Sequence, residues 1–285
     1  MRLNNVIYDF FGNIISIKTN NSELLQQLNY IYRDYIIYDN QKIDYYMEIT
    51  CPVNTMITSV LLTSDEMTVY HGSDEENLKK WDDTESSFLP PITLPFFRNK
   101  YSFFHGCGIQ LNGKNILVFG PSKAGKSTLM MRLLEDGGKL ITDDLLVINN
   151  KTKEIIPFKK PMGLRSTTKE FYEKRFRNLI EKLPSEVPSF YFRDTGLITE
   201  LIHINDVPGW DYSESQGGIH HILFIGQDFR VINDSFEFFS LIQEQSCLSN
   251  NPVDIFLNIY QNLESIPQMI NTRELDKTLK VINNL

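Results

Sequence analysis

The chain has 285 residues, with 28 Lys and Arg against 36 Asp and Glu for a formal net charge of −8, and 41% hydrophobic and 22% charged residues. This is globular composition, which excludes disordered, collagen-like and coiled-coil classes, and so acidic a chain repels a phosphodiester backbone, so no nucleic-acid partner is expected. Cys51, Cys107 and Cys247 form no CxxC pair or zinc-finger spacing, and no apolar run approaches the roughly 18 residues of a membrane span or forms a signal-type core. Reduced thiols, a cytoplasmic location and no membrane partner are the resulting expectations.

Val6 to Phe11 and Asn13 to Lys18 read as strands joined at Gly12. A helix follows, capped by Ser22, with Leu24, Leu25, Leu28, Ile31 and Tyr35 on one face. Tyr45 to Thr50, Met56 to Thr63 and Met67 to His71 are strand-like, and a polar stretch then ends in Leu89-Pro90-Pro91. These features divide the chain into an N-terminal α+β domain over 1–95 and a larger α/β domain over 96–285. In the second, Tyr101 to Leu111 and Asn115 to Phe119 flank the hairpin signal Asn112-Gly113-Lys114. Thr167 and Glu170 form a capping box before Tyr172, Phe176, Leu179, Ile180 and Leu183. Leu197 to Ile204 and Ile219 to Ile225 read as strands. Pro252 opens a helix with Val253, Phe256, Leu257, Tyr260 and Leu263 inward, and Arg273 to Ile282 a second.

Gly120-Pro121-Ser122-Lys123-Ala124-Gly125-Lys126-Ser127 fits the phosphate-loop pattern G-x-x-x-x-G-K-[ST], follows a strand and opens a helix. Two glycines let backbone N–H groups turn onto one anion at a helix N-terminus. Lys126 is placed to reach the outer phosphates of a nucleotide and Ser127 to ligate Mg²⁺, with Thr128 a weaker helix-side contact. The helix ends at Gly137-Gly138, and a short strand, Lys139 to Thr142, leads to Asp143-Asp144. One such carboxylate suits Mg²⁺, and a second can take a proton from an attacking hydroxyl.

His105-Gly106, the phosphate loop and the run Gly-Gly-Lys-Leu-Ile-Thr-Asp-Asp, in that order, resemble the HPr kinase/phosphorylase family over residues 100–150. The resemblance implies a P-loop-containing catalytic domain with a phosphoenolpyruvate-carboxykinase-like fold, which transfers the γ-phosphate of ATP to a serine of a protein or peptide. It implies Asp144 as general base, Lys126 as phosphate clamp, Ser127 and Asp143 as Mg²⁺ ligands and His105 as a supporting residue. The family's Glu-Ile-Arg-Gly segment has no match here. Lys159-Lys160-Pro161-Met162-Gly163-Leu164-Arg165 stands in its place, and the family's later Arg-centred loop is not recognisable.

The segment Lys151 to Lys182 holds ten basic and four acidic residues, a local +6 in an acidic chain. Within it Lys159, Lys160 or Arg165 is expected to face the nucleotide phosphates or an acidic substrate segment, Arg165 being the preferred one, whereas Lys169, Lys174, Arg175 and Arg177 suit a solvated helix face. Adjacent strand residues point to opposite faces, so His220 and His221 are not expected to converge on one metal and are given no catalytic role. The leading expectation is a Ser/Thr kinase of a small protein or peptide, including natural-product precursor peptides, that uses ATP and Mg²⁺. A small-molecule hydroxyl kinase and a nucleotide switch without transfer are the alternatives, and a homo-oligomer is compatible with each.

Overall fold

The computed structural model describes residues 3–38, 41–50, 68–81, 95–165, 188–192, 197–214, 216–248 and 252–285. The expected strand Met56 to Thr63, the Leu89-Pro90-Pro91 stretch and the helix begun by Thr167 and Glu170 lie outside these residues. The chain is mixed α/β and divides into two compact units, Met1–Phe97 with Ser189–Thr199, and Arg98–Pro188 with Glu200–Leu285.

The first unit is built on a six-stranded sheet of order β3-β1-β2-β4-β5-β6. Its strands are β1 (Asn4–Phe10), β2 (Asn13–Thr19), β3 (Ile36–Ile37), β4 (Tyr45–Thr50), β5 (Thr68–Gly72) and β6 (Lys79–Lys80). β1 and β2 form an antiparallel hairpin whose turn residues Phe11 and Gly12 have φ of 57° and 77°, the conformation that matches strand twist. β2 and β4 are parallel, as a crossover through helix α1 (Ser22–Ile31) requires. Asn21 caps α1 in place of Ser22. Its side chain accepts from the N–H groups of Glu23 and Leu24 at 2.9 and 3.0 Å, because Ser22 already occupies the first helical position. The helix stops at Ile31, but Tyr35 still packs inward, its ring stacked 5.0 Å from that of Phe10.

In the second unit the central strand is β7 (Tyr101–Leu111). Around it run β8 (Lys114–Phe119), β9 (Lys139–Thr142), β10 (Leu145–Asn149) and β11 (Ile155–Ile156), while β12 (Met162–Arg165) lies off this sheet. β13 (Ser189–Phe192) falls in the first unit, and β14 (Leu197–Ile202) runs across the division; after them come β15 (His221–Ile225), β16 (Arg230–Val231), β17 (Ser246–Leu248) and β18 (Gln268–Ile270). The nine-stranded sheet has the order β11-β10-β7-β8-β15-β18-β16, with β9 and β17 also paired to β7. Its helices are α2 (Lys126–Glu135), α3 (Ser235–Glu244), α4 (Pro252–Gln261) and α5 (Leu275–Asn283).

Alternation along the strands sorts the core into two layers. Cys107, Ile109, Ile116 and Val118 pack with Leu129 and Leu133 of α2 and with Leu275 and Ile282 of α5. Phe104, Leu117 and Phe119 pack with Phe238 of α3 and Phe256 of α4. The expected inward face of α4 is corrected. Val253 and Leu257 are 40% and 46% exposed, while Ile255, Phe256 and Ile259 are buried. The segment carries two overlapping apolar stripes, and packing on the sheet selects one. Among the described residues no helix is long and apolar enough to cross a membrane.

Candidate active site

β7 changes neighbours on both sides near its middle. On one side it pairs with β8 from Leu111 to Gly106, where Phe119 stands opposite Gly106, and with β17 at Phe104 and Phe103. On the other side Gly108 pairs with Thr142 of β9 and His105 with Leu145 of β10. The phosphate loop therefore leaves the sheet on one flank of Gly106, and Asp143-Asp144 interrupts the ladder on the other. His105 lies between them, in the kind of crevice where strands diverge and ligands bind in open α/β sheets.

The loop has the backbone the sequence demands. Gly125 caps α2 with φ of 97°, and a Cβ there would stand 3.0 Å from the Thr272 hydroxyl. A Cβ on Gly120 would stand 3.0 Å from the Ile225 side chain. Lys123 takes φ of 66°, and the N–H of Ala124 donates to the carbonyl of Pro121 at 3.2 Å. Pro121, Ser122 and Lys123 are exposed at the loop's crest, and Thr128 lies in the first turn of α2. The Thr272 hydroxyl, in the turn before α5, donates to the carbonyl of Ala124 at 2.6 Å and ties the loop down from outside. At its far end α2 closes with Gly137 at φ of 86° and N–H bonds from Gly137 to Leu134 and Gly138 to Leu133, the expected left-handed stop.

Lys126 is buried, and its ammonium donates to the carbonyls of Gly120 at 2.7 Å and Pro121 at 3.1 Å. Its third contact is Nε2 of His105 at 2.9 Å. An ammonium only donates, so Nε2 accepts and the His105 proton resides on Nδ1. That nitrogen lies 3.2 Å from Oδ1 of Asp144. Burial pushes the imidazole below its usual range, helped by Lys126 and Lys160 and opposed by Asp144 and Asp143. The ring is thus neutral at pH 7 and links the loop lysine to the carboxylate.

The two aspartates differ sharply. Asp143 is 2% exposed and collects donors: the Ser127 hydroxyl at 3.0 and 3.2 Å, the Cys107 thiol at 3.1 Å and the N–H of Gly163 at 3.3 Å. Asp144 has φ of 71° and a side chain 56% exposed, a left-handed conformation that Asp tolerates and that marks functional turns. Desolvation raises its carboxyl, yet Lys160, His105, Lys126 and Arg165 together outweigh that and hold it below the usual range. Arg165, at the end of β12, is thus one of the cations whose charge bears on Asp144.

His105, Lys126, Ser127, Asp143 and Asp144 are thus brought into one cluster. Among the described residues no group of three His, Cys, Asp or Glu is placed to hold a metal. A hydroxyl and one carboxylate suit Mg²⁺, which keeps several waters and completes its octahedron with substrate phosphates. Cys107 and Thr272 were not singled out by sequence, since neither belongs to a motif. His220 and His221 share a carboxylate rather than a metal. β15 begins only at His221, and both Nε2 atoms lie about 4 Å from the Glu264 carboxylate, at 4.0 and 3.9 Å.

No family model matches the chain. Two curated relatives, the HPr kinase/phosphorylases of Prosthecochloris aestuarii and Chloroherpeton thalassium, are each 34% identical to it, over 58 and 56 residues. Each match covers 20% of this chain, and the chain spans only 17% and 16% of those relatives. The solved HPr(Ser) kinase/phosphatase of Coxiella burnetii is 16% identical over 47% of this chain and 66% of its own, with a TM-score of 0.25. Over that fifth of its length the chain is similar to HPr kinase/phosphorylases.

Proposed function

We propose that the chain is a phosphotransferase that uses ATP and Mg²⁺ to phosphorylate a Ser or Thr hydroxyl of a protein or peptide, on a phosphoenolpyruvate-carboxykinase-like catalytic domain. The observation that carries this reading is the line Lys126–His105–Asp144, which joins the phosphate loop to a half-exposed carboxylate. A nucleotide switch has no use for a carboxylate open to a second substrate. Loop N–H groups and Lys126 hold the phosphates, and Ser127 with Asp143 would hold Mg²⁺, which screens phosphate charge when bound.

His105 Nδ1–H engages Oδ1 of Asp144 and leaves Oδ2 to accept the acceptor's proton. The acceptor oxygen bonds to the γ-phosphorus as the bond to the β,γ-bridging oxygen breaks, and ADP leaves. A carboxyl held low is a weak base, which suits a loose phosphoryl transfer in which the hydroxyl becomes acidic only late.

Intact-mass spectrometry of candidate acceptor proteins and peptides, incubated with ATP, Mg²⁺ and either the natural protein or Asp144→Asn, tests the reading. One phosphoryl group gained with the natural protein and slowed about 10²–10⁴-fold in Asp144→Asn, with ATP affinity retained, is the expected result. ATP binding with no transfer to any macromolecule would sink it in favour of the small-molecule or switch reading.

A further inference from the structure

Adjacent lysines at 159 and 160 end very differently. Lys159 pairs with Glu214 at 2.6 Å. Lys160 has its main chain fixed at three points: its N–H donates to the carbonyl of Phe158 at 2.9 Å, its carbonyl accepts from the Tyr212 hydroxyl at 2.7 Å, and Pro161 follows it. The strap around it is stitched to the site at both ends. The N–H of Phe158 donates to the carbonyl of Ile141 in β9, and that of Gly163 to Oδ2 of Asp143. The strap thus passes directly over the Asp143-Asp144 turn. Among the described residues the Lys160 ammonium holds no hydrogen bond or ion pair, although its charge bears on Asp144 more than that of any other cation and also bears on His105.

A lysine on a fixed backbone with a free head group, half-buried beside a carboxylate, costs rotamer freedom and desolvation with no partner in hand. Such a group fits an anionic ligand. Its place along the site says which part of the ligand it meets. The loop N–H groups take the inner phosphates, Lys126 stands next, then His105, and Lys160 lies at the Asp144 end, where the outermost phosphoryl group would arrive. We propose that Lys160 is the γ-phosphate-binding residue of this site, a cation that contacts ATP and not ADP. The inference rests on the phosphotransferase reading and adds to it a residue that belongs to no phosphate-loop motif.

The test is calorimetric titration of the natural protein, Lys160→Met and Lys160→Arg with ATP and, separately, with ADP, each with Mg²⁺. Lys160→Met should weaken ATP roughly 10- to 100-fold, the range for a charge-assisted contact, leave ADP within about twofold, and be largely restored in Lys160→Arg. Unchanged ADP binding also reports that the variant is folded. Unchanged ATP affinity, or a parallel loss of ATP and ADP, overturns the inference while the phosphotransferase reading stands. Failure of the natural protein to bind either nucleotide overturns both.

Discussion

The Ser127 hydroxyl lies 3.0 and 3.2 Å from the two oxygens of Asp143, and Cys107 braces that carboxylate from behind with a thiol at 3.1 Å. Burial pushes the thiol well above its usual range, with Asp143 adding to the effect, so Cys107 is a donor at any working pH. It orients Asp143 through a contact that touches neither nucleotide nor metal. Outer partners of this kind commonly change metal affinity by about 10- to 100-fold, and a weak thiol donor belongs at the low end. Cys107→Val should raise the Mg²⁺ concentration for half-maximal transfer by about tenfold, while Cys107→Ser, which keeps a donor, stays near the natural protein. Equal behaviour of the two variants would mean that Cys107 only fills space.

Gly106 sits between His105 and Cys107 because nothing larger fits. A Cβ there would lie 2.7 Å from the Leu146 side chain and 2.9 Å from that of Phe119. Both neighbours are fully buried and have little room to yield. Gly106→Ala is expected to cost about 1–3 kcal/mol, the usual range for overpacking a filled core. Urea unfolding curves would show it as a lower midpoint at unchanged slope. No loss would show that Leu146 has a second rotamer available.

The loop, its lysine and serine, and the Asp-Asp pair are legible in sequence because each is a local consequence of chain direction: strand, glycine turn, helix. β7 and β9 are found at Tyr101–Leu111 and Lys139–Thr142 as expected. Cys107 and Thr272 are not legible, since their roles depend on pairings between distant segments. Cys107 meets Asp143 only because β9 and β10 both run beside β7, and Thr272 meets Ala124 across 148 residues. Helix α3 hides for another reason. Its Phe236-Glu237-Phe238 mimics strand alternation, yet Phe236 is 81% exposed and Phe238 fully buried. The inward side is the i, i+4 pair Phe238 and Ile242, which packing singles out from the neighbouring aromatics.

Thr272 offers a test of the loop's outer tie. Thr272→Val removes the hydroxyl that donates to Ala124 at 2.6 Å but keeps the shape that packs on Gly125. With one hydrogen bond of about 1 kcal/mol removed, nucleotide affinity should fall roughly three- to tenfold for ATP and ADP alike. Thr272→Ser should bind as the natural protein does. Selective loss of ATP in Thr272→Val would contradict a role confined to loop shape.

Acid stability follows from the histidines. His71, His105 and His221 are all pushed below their usual range, each chiefly by burial. His221 is the most enclosed, 2% exposed, with Nδ1 2.8 Å from the Ser265 hydroxyl and Nε2 without a hydrogen bond. Glu264 favours its protonation, while His220 and Lys114 oppose it. As pH falls below about 6.5, the ordinary histidine value, the unfolded chain takes up these protons before the folded one does. Stability is therefore complete above that pH and is lost as pH falls toward the lowered folded values. The depressed carboxyls of Asp74, Asp144, Glu237 and Glu264 begin to enter below about pH 5, at the lower edge of this window. Urea midpoints should be flat from pH 8 to 7 and decline between pH 6.5 and 5, at up to about 1.4 kcal/mol per pH unit for each histidine. His221→Asn should show a shallower decline than the natural protein, and identical slopes would mean that His221 titrates normally in the fold.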